Sequence, residues 1–486
     1  MPKESRDSFI MELPLRTSST ELKELNIRLD AARQLYNASL GESLRRLALV
    51  KESRLWKNGR SLLKAGKKKE AKECFLQAKK RHEFSEYSLH SFIGEIRKSC
   101  WIGNHIDSNS SQKIATKAFQ STKEFLFRKR GKPRFKAYGR YRSVEGKSNK
   151  QGLRFLEGKV VWTVRGGIKL KLVPLYDKKD KHGVQAHGLL CRTKYVRLVR
   201  KTVRGKEVWY TQLVQEGKAL QKAKNSLGRE VVGLDIGPST IAVVSQTTAS
   251  LSPFCQGLES DKNSISKFQK RMDRSRRKTN PNNYEIDGTI RPGPKRWNWS
   301  KRYQCLAKQV AEKQRCLAEA RKRMHGELAN QVLAKGVLIR TEKLSYKKLQ
   351  KDFGRSVGFR APGMFVSLLR RKAESAGGKV EEFSTYETKL SQTCHCGKQK
   401  KKKLSDRWHS CACGVEAQRD LYSAHLARYV EKDKLDTCQA TNAWTAAESL
   451  LGRAVSRLMQ QANGRACLSS FGLGQRQSLS RAKGGS

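Results

Sequence analysis

Three acidic residues occupy places where an acid is costly unless something answers it. Asp235 lies inside the apolar run VVGLDIG, Glu342 closes a second apolar run, GVLIRTE, and Asp420 opens a helical pattern in AQRDLYSAHLA. A carboxylate in a strand of that kind needs a partner, and a divalent cation is a natural one. Three carboxylates from separate elements, meeting at one end of a sheet, would hold two hard cations of the Mg2+ type, with water and substrate phosphate in the remaining positions. Two such ions about 3.5–4 Å apart hydrolyse a phosphodiester, one activating the attacking water and the other stabilising the leaving oxygen. Taken singly, each acid has a plainer role open to it. Asp235 could accept backbone bonds in its own turn, Glu342 could pair with Arg340 or Lys343, and Asp420 could be an acid at a helix N-terminus.

A second cluster falls between Glu342 and Asp420. In CHCGKQKKKKLSDRWHSCACG, Cys394 and Cys396 form one C-x-C pair and Cys411 and Cys413 another, with 14 residues between them. Two thiol pairs joined by a loop suit one tetrahedral Zn2+. Four protein ligands leave no open position, so the role expected is structural. Gly397 and Gly414 follow the pairs, where a metal knuckle turns sharply. Metal binding also explains how a stretch this poor in apolar residues folds. The C-x-C spacing is tighter than the usual C-x2-C and leaves room for His395 or His409 in place of a thiolate. A redox pair is the competing reading.

These residues need elements to carry them. Residues 9–17 predict a strand and 18–97 a set of helices with Leu and Ala at helical spacing. Between 122 and 220, the runs 160–164, 168–175, 194–201 and 207–215 are rich in β-branched and aromatic residues and separated by Gly turns, which predicts a small all-β unit, a barrel interrupted by the helices. Residues 229–246 read as strand, turn, strand. Residues 262–335 are helical and basic, 336–342 a buried strand, 363–376 a helix, 377–384 a turn and strand, and helix resumes at about 419. Residues 464–486, rich in Gly, Ser and Arg, read as disordered.

Charge supplies the partner class. The chain of 486 residues has 102 Lys+Arg against 44 Asp+Glu, a formal net charge of +58. Like charges at that density repel, and a nucleic-acid backbone is the usual polyanion that relieves them. A membrane partner is not expected: no run approaches the length needed to span a bilayer, and no amphipathic basic anchor stands out. The first residues lack an apolar signal core, so an intracellular, reducing setting is expected, in which the 12 cysteines do not read as a disulfide framework. Basic positions along 267–278, Lys267, Lys270, Arg271, Arg274, Arg276 and Arg277, are candidates for nucleic-acid contact. Trp297 and Trp299 could stack on bases or anchor the basic arm to a core, with the core slightly favoured. The run Lys400–Lys403 would meet phosphate or water.

The motifs then resemble a family. GKPRFKAYGR (131–140), GLDIGPSTIAVV, VLIRTEKLSYKKL, SQTCHCG and CACGVEAQRDLYSA are similar to segments of TnpB proteins and their relatives, the compact type V CRISPR effectors. The resemblance covers about residues 9–430 and is strongest in the C-terminal half. It implies a multidomain α+β chain: a ribonuclease H-like (RuvC) α/β nuclease domain with an inserted zinc ribbon, plus an N-terminal wedge barrel interrupted by a helical recognition domain. The expected spans are 1–17 for the first wedge strand, 18–121 for recognition, 122–220 for the wedge, 221–390 for the first two RuvC motifs, 391–415 for the ribbon, 416–432 for the third motif and 433–486 for a partly disordered tail. It further implies an RNA-guided DNA endonuclease that recognises a short flanking motif, with Asp235, Glu342 and Asp420 on two Mg2+, the four cysteines on one Zn2+, and Arg134 and Phe135 near RNA. A guide RNA and double-stranded target DNA would be its partners, as a monomer or a homodimer, in the cytoplasm of a prokaryote with its action at the nucleoid. A cleavage-deficient RNA-guided regulator and a transposase on the same fold are the alternatives. One departure is the sequence after Asp420, Leu-Tyr-Ser-Ala-His, where relatives carry Asn.

Overall fold

The computed structural model describes residues 7–403 and 405–461 with Phe471 and Leu473, residues 259–261 and 355 by backbone alone. The chain divides into two compact units, Met1–Leu220 and Gln221–Ser486.

The first unit opens with β1 (Ser8–Arg16), whose alternate residues Met11, Leu13 and Leu15 are buried. Ser18 and Glu21 then form a capping box that starts α1 (Ser19–Glu52). Four more helices follow: α2 (Arg54–Lys64), α3 (Lys68–Arg81), α4 (Glu86–Ser99) and α5 (Ser108–Leu126). The remaining elements are β2 (Ser143–Glu145), β3 (Leu153–Leu156), β4 (Lys159–Thr163), β5 (Lys169–Pro174), α6 (Val184–Leu190), β6 (Thr193–Val203) and β7 (Lys206–Glu216). The strands make one antiparallel sheet in the order β2-β6-β7-β1-β5-β4-β3.

The barrel expected from the sequence is not closed. Its end strands β2 and β3 share no ladder. Both are too short to offer a long run of partners, at three and four residues. The β3 edge still lies close to the end of β2, where a Cβ on Gly146 would stand 2.6 Å from the Leu153 carbonyl oxygen, and helices are tied to β4. Asp107, which caps α5 through Ser110 N (2.9 Å), accepts the indole N–H of Trp162 at 2.8 Å. The buried Arg28 of α1 donates to the Trp162 carbonyl at 3.1 Å. Helix and sheet residues such as Leu25, Leu35, Ile114, Trp162, Val196 and Leu213 share one apolar core, so the helices cover one face of the sheet.

The second unit is built on β8 (Glu230–Ile236), β9 (Thr240–Val244), β10 (Ala249–Pro253), β11 (Gly336–Glu342) and β12 (Lys379–Phe383), in the order β10-β9-β8-β11-β12. β8, β9 and β10 are antiparallel neighbours, whereas β11 runs parallel to both β8 and β12. Between β10 and β11 lie α7 (Glu259–Thr279) and α8 (Lys301–Leu333); α9 (Tyr346–Arg360) and α10 (Pro362–Ala376) lead to β12. After α11 (Thr385–Thr388) come the hairpin β13 (Trp408–Ser410) and β14 (Glu416–Gln418), then α12 (Arg419–Ala427), the two-residue pair β15 (Val430–Glu431) and β16 (Lys434–Leu435), α13 (Thr437–Asn442) and α14 (Trp444–Gln461).

Both faces of this sheet are covered. Val232, Leu234, Ile236, Ile241 and Val243 join a core with α8 and α10. Ala242, Val244 and Leu251 face the other way, onto Leu421 and Ala424 of α12 and Leu450 and Leu451 of α14. That is why β9 is buried along its whole length and reads as a continuous apolar run rather than an alternation. The sequence carried no motif beyond Val430, yet α14 supplies much of the second core. The segment 464–486, read as disordered, lies outside the described residues apart from Phe471 and Leu473, which are buried. Among the described residues no helix is long and apolar enough to cross a membrane.

Candidate active site and cysteine cluster

The register of the parallel strands brings two acids side by side. Arg340 pairs with Gly233 and Thr341 with Leu234, so the next pair across the ladder is Glu342 and Asp235. Residues 232, 234 and 236 of β8 face the α8/α10 core. The side chain of Asp235 therefore points to the opposite face, and by the same alternation so does that of Glu342. That face is covered by α12, whose second residue is Asp420. Gly233 permits the close packing: a Cβ there would stand 1.9 Å from the Ala424 carbonyl oxygen of α12. The three acids thus converge from β8, β11 and α12 at the C-terminal end of the parallel strands.

The electrostatics follow from this crowding. Burial, and then the charges of Asp420 and Glu342, hold the Asp235 carboxyl well above the usual carboxylate range; Arg419 and Arg407 oppose the shift. Burial pushes Glu342 up to about 7. Both residues keep some exposure at the mouth of the site, although protein atoms crowd round their carboxyls. Among the described residues neither carboxylate has a hydrogen-bonding or ion-pair partner. Arg340, one candidate partner for Glu342, is committed instead to Glu381 (3.3 Å), Glu431 (2.9 Å) and the Arg428 carbonyl (2.6 Å). Asp420 is better served: Thr240 Oγ1 donates to it at 3.4 Å, Arg419 lies at 3.3 Å and Arg407 at 3.6 Å. Two half-buried acids with no partner among the described residues, beside a third, are a donor set that hard divalent cations fit. The three carboxylates do not close on one point, since among the described residues only the four cysteines bring their ligand atoms within 4.8 Å of one another.

Cys394, Cys396, Cys411 and Cys413 are that compact cluster. Cys394 Sγ stands 3.5 Å from Cys413 Sγ, and Cys396 Sγ 3.7 Å from Cys411 Sγ. Tetrahedral Zn–S bonds of about 2.3 Å place sulfurs about 3.8 Å apart, so the thiols already stand at the spacing such an ion needs. Each pair sits in a tight knuckle. The N–H of Gly397 donates to the Cys394 carbonyl and that of Gly414 to the Cys411 carbonyl, both at left-handed φ (83° and 92°), where glycine is favoured. The Cys413 N–H draws the Cys411 thiol down to about 7, which favours the thiolate a metal takes. His395 and His409 stand outside the cluster. Tyr422 Oη lies 3.1 Å from His395 Nδ1, and His409 Nδ1 is bonded to Lys402 Nζ. Of the run Lys400–Lys403, Lys402 is thus turned inward, and burial pushes it down to about 8.

Several connections between the two clusters were invisible in the sequence. Gln418 ends β14 and caps α12, accepting from Leu421 N at 2.8 Å. Arg419 N donates to the Arg407 carbonyl (2.8 Å) and its guanidinium to the Asp406 carbonyl (2.7 Å). Tyr422, two residues past Asp420, accepts from His395 N at 2.9 Å and lies 3.4 Å from Cys394 Sγ. The helix that carries Asp420 is therefore tied at its first turn to the cysteine loop. No spacing rule picks out Arg407, 13 residues before Asp420. Tyr422 reads only as part of a helical pattern.

The candidate nucleic-acid residues are scattered. Arg134 and Phe135 are exposed on an irregular segment. Asn37 of α1 clamps that segment by exchanging hydrogen bonds with Lys136 (3.0 and 2.8 Å). Lys267, Lys270, Arg271 and Arg274 are exposed along α7. Arg276 and Arg277 are engaged within the chain, both paired with Asp273 (2.6 and 2.7 Å). Trp297 and Trp299 stack on each other (5.9 Å, 14°); Trp297 is half-buried and packs edge-on against the buried Tyr284, as an anchor would, whereas Trp299 is exposed.

Residues 363–426, which span α10 to α12 and the cysteine hairpin, match the family model described as Cas12f1-like, TNB domain. No curated protein sequence matches the chain. Among solved structures, it is similar to a Cas12f1–sgRNA–target DNA complex determined by cryo-EM, with TM-score 0.46 and 12% identity over 87% of this chain and 98% of that one. It is also similar to a CRISPR-Cas12f ternary complex, with TM-score 0.27 and 14% identity over 83% and 81%.

Proposed function

We propose that this chain, whose residues 363–426 match the Cas12f1-like TNB domain model and whose motifs resemble the compact type V and TnpB-like proteins, is an RNA-guided DNA endonuclease of that family with a ribonuclease H-like, two-metal site. The observation that carries the reading is the meeting of Asp235, Glu342 and Asp420 on one face of a mixed sheet, directly beside the cysteine hairpin. The charge of +58 supplies the class of substrate. The specific activity, guide RNA together with a double-stranded DNA target, comes from the family resemblance, and base pairing would set the sequence choice.

Asp235 and Glu342 would hold two Mg2+ from the strands and Asp420 from the helix. When bound, these ions supply activation of water and stabilisation of the leaving oxygen. The chain's own contribution is placement. The β8/β11 ladder sets two carboxylates one strand apart, and Gly233 lets α12 bring the third against them. With Glu342 raised to about 7, a bound cation would favour its ionised form and displace the share of proton it holds at neutral pH. Arg407 and Arg419 place positive charge beside Asp420, where a phosphate would lie. The four thiols would hold one structural Zn2+, and the Tyr422 and Gln418 contacts would transmit its order to Asp420. The protein would act in the cytoplasm.

The test is cleavage of a matched duplex by the intact chain with its co-purifying RNA in Mg2+. Asp235→Ala should slow cutting about 10³-fold or more, equivalent to about 4 kcal/mol of barrier. Cutting by Asp235→Ala at the wild-type rate would overturn the site. Absence of metal-dependent cutting by the wild type would overturn the enzyme reading in favour of a binding regulator, and joining of transposon ends without any bound RNA would point to a transposase.

A further inference from the structure

α7 and α8 form an arm inserted between β10 and β11. Residues 267–302, its outer part, hold twelve Lys or Arg against three Asp or Glu. At the tip, four aromatic rings make a ladder. Tyr284 meets Trp297 edge-on (5.9 Å, 74°), Trp297 stacks on Trp299, and Trp299 stacks on Tyr303 (4.4 Å, 28°). Arg276 lies over Trp297 at 5.4 Å and Arg277 over Tyr284 at 4.9 Å. Trp299 is 44% exposed.

The ladder is held in a defined shape. Asn280 and Asn298 exchange hydrogen bonds (2.9 and 2.7 Å), Asn283 donates to the Arg296 carbonyl (2.9 Å), and Ser275 and Ser300 share a hydroxyl contact (2.9 Å). Rings needed only as core filling would be buried among aliphatic side chains. Here Tyr284 is buried and Trp297 and Tyr303 are half-buried, so they seat the ladder, while Trp299 is left exposed within a strongly basic stretch, away from the aliphatic cores described above. A fixed aromatic stack flanked by guanidinium groups suits a π-face and a phosphate together, and unpaired bases on a strand present both. Paired bases keep their faces inside the duplex.

We propose that this ladder is a stacking platform for unpaired bases of single-stranded DNA. The choice of DNA rests on the function proposed above: the arm belongs to the unit that carries the three acids, so a strand it holds is one offered to them. α8, with 33 residues, is about 50 Å long, so the tip grips the strand away from the chemistry. It should act on affinity rather than on the cleavage step.

Full-length protein in Mg2+-free buffer, titrated against a fluorescein-labelled oligothymidylate, tests this by anisotropy. Trp299→Ala should weaken binding about tenfold and Trp299→Phe less than about threefold, while a blunt duplex of equal length is bound as before. The salt dependence should keep its slope, because no phosphate contact is removed. Unchanged oligothymidylate affinity in Trp299→Ala would overturn the proposal. So would an equal loss on the duplex, which would make the ladder a brace for the arm, or a loss confined to single-stranded RNA. Binding needs no cutting, so these outcomes stand whatever Asp235→Ala does to cleavage.

Discussion

The cysteine cluster and the acid site lie next to each other in one unit and are assembled by different means. The four thiols come from one short hairpin, Cys394 to Cys413, and their knuckles are closed by local backbone bonds at Gly397 and Gly414. The three acids come from positions 235, 342 and 420, and a sheet buried on both faces brings them together. The hairpin and its closing strand have little apolar material of their own, chiefly Trp408, Val415 and Ala417, so their order would depend on metal. The acid site stands on cores that need none, and metal there would relieve repulsion among crowded carboxylates. One ion would hold a fold; the others would complete a reaction centre on a fold already made. The hydrogen bonds of Tyr422 and the Gln418 cap join the two.

Of the changes that separate the two clusters, breaking the hairpin should have the largest effect. Replacing Cys411→Ser together with Cys413→Ser should abolish stoichiometric zinc and lower cutting about 100-fold or more through misplacement of α12. Removing Mg2+ alone should leave zinc content and cooperative melting intact, with a much smaller fall in melting temperature than loss of zinc causes. Zinc analysis, calorimetry and a cleavage assay read the contrast, and full cutting without zinc would show that the two clusters are uncoupled.

Next is the pH dependence of the acid site without cations. The folded-state value of Glu342, about 7, lies above its ordinary 4.5, so the folded chain holds this proton more tightly than the unfolded one. The stabilisation is present in full below the ordinary value and is lost as pH rises through about 7, amounting to at most about 3 kcal/mol. Melting of the zinc-loaded protein in Mg2+-free buffer should therefore fall over that range, and Glu342→Gln should flatten the dependence. Parallel curves for the two proteins would mean that Glu342 is not the source.

Tyr422→Phe should have the smallest effect and sharpen the comparison most. It keeps the ring among His395, His409 and Trp444 and removes only the hydroxyl at the knuckle. The loss of about 1–2 kcal/mol of hydrogen bonding should lower kcat roughly tenfold with zinc content and KM unchanged. An unaltered kcat would leave the Gln418 cap and strand β14 as the connection.

What the sequence determined by itself is local. The knuckle cysteines, their glycines, the strand–turn–strand around Asp235 and the basic arm are specified within short windows, because ligand spacing, positive φ and hydrophobic period act over a few residues. The tertiary structure decided what depends on distant parts of the chain. Strand register put Glu342 beside Asp235, and the small side of Gly233 set the depth of α12. Short end strands that share no ladder left the first sheet open rather than closed into a barrel. The pairing of Arg276 and Arg277 with Asp273 is a spacing that sequence contains, but their seat over Tyr284 and Trp297 depends on how the loop folds back. Asp420 shows the division most clearly. Its sequence offers only an acid in the first turn of a helix, while the sheet and the hairpin together make it the third member of a buried acid cluster.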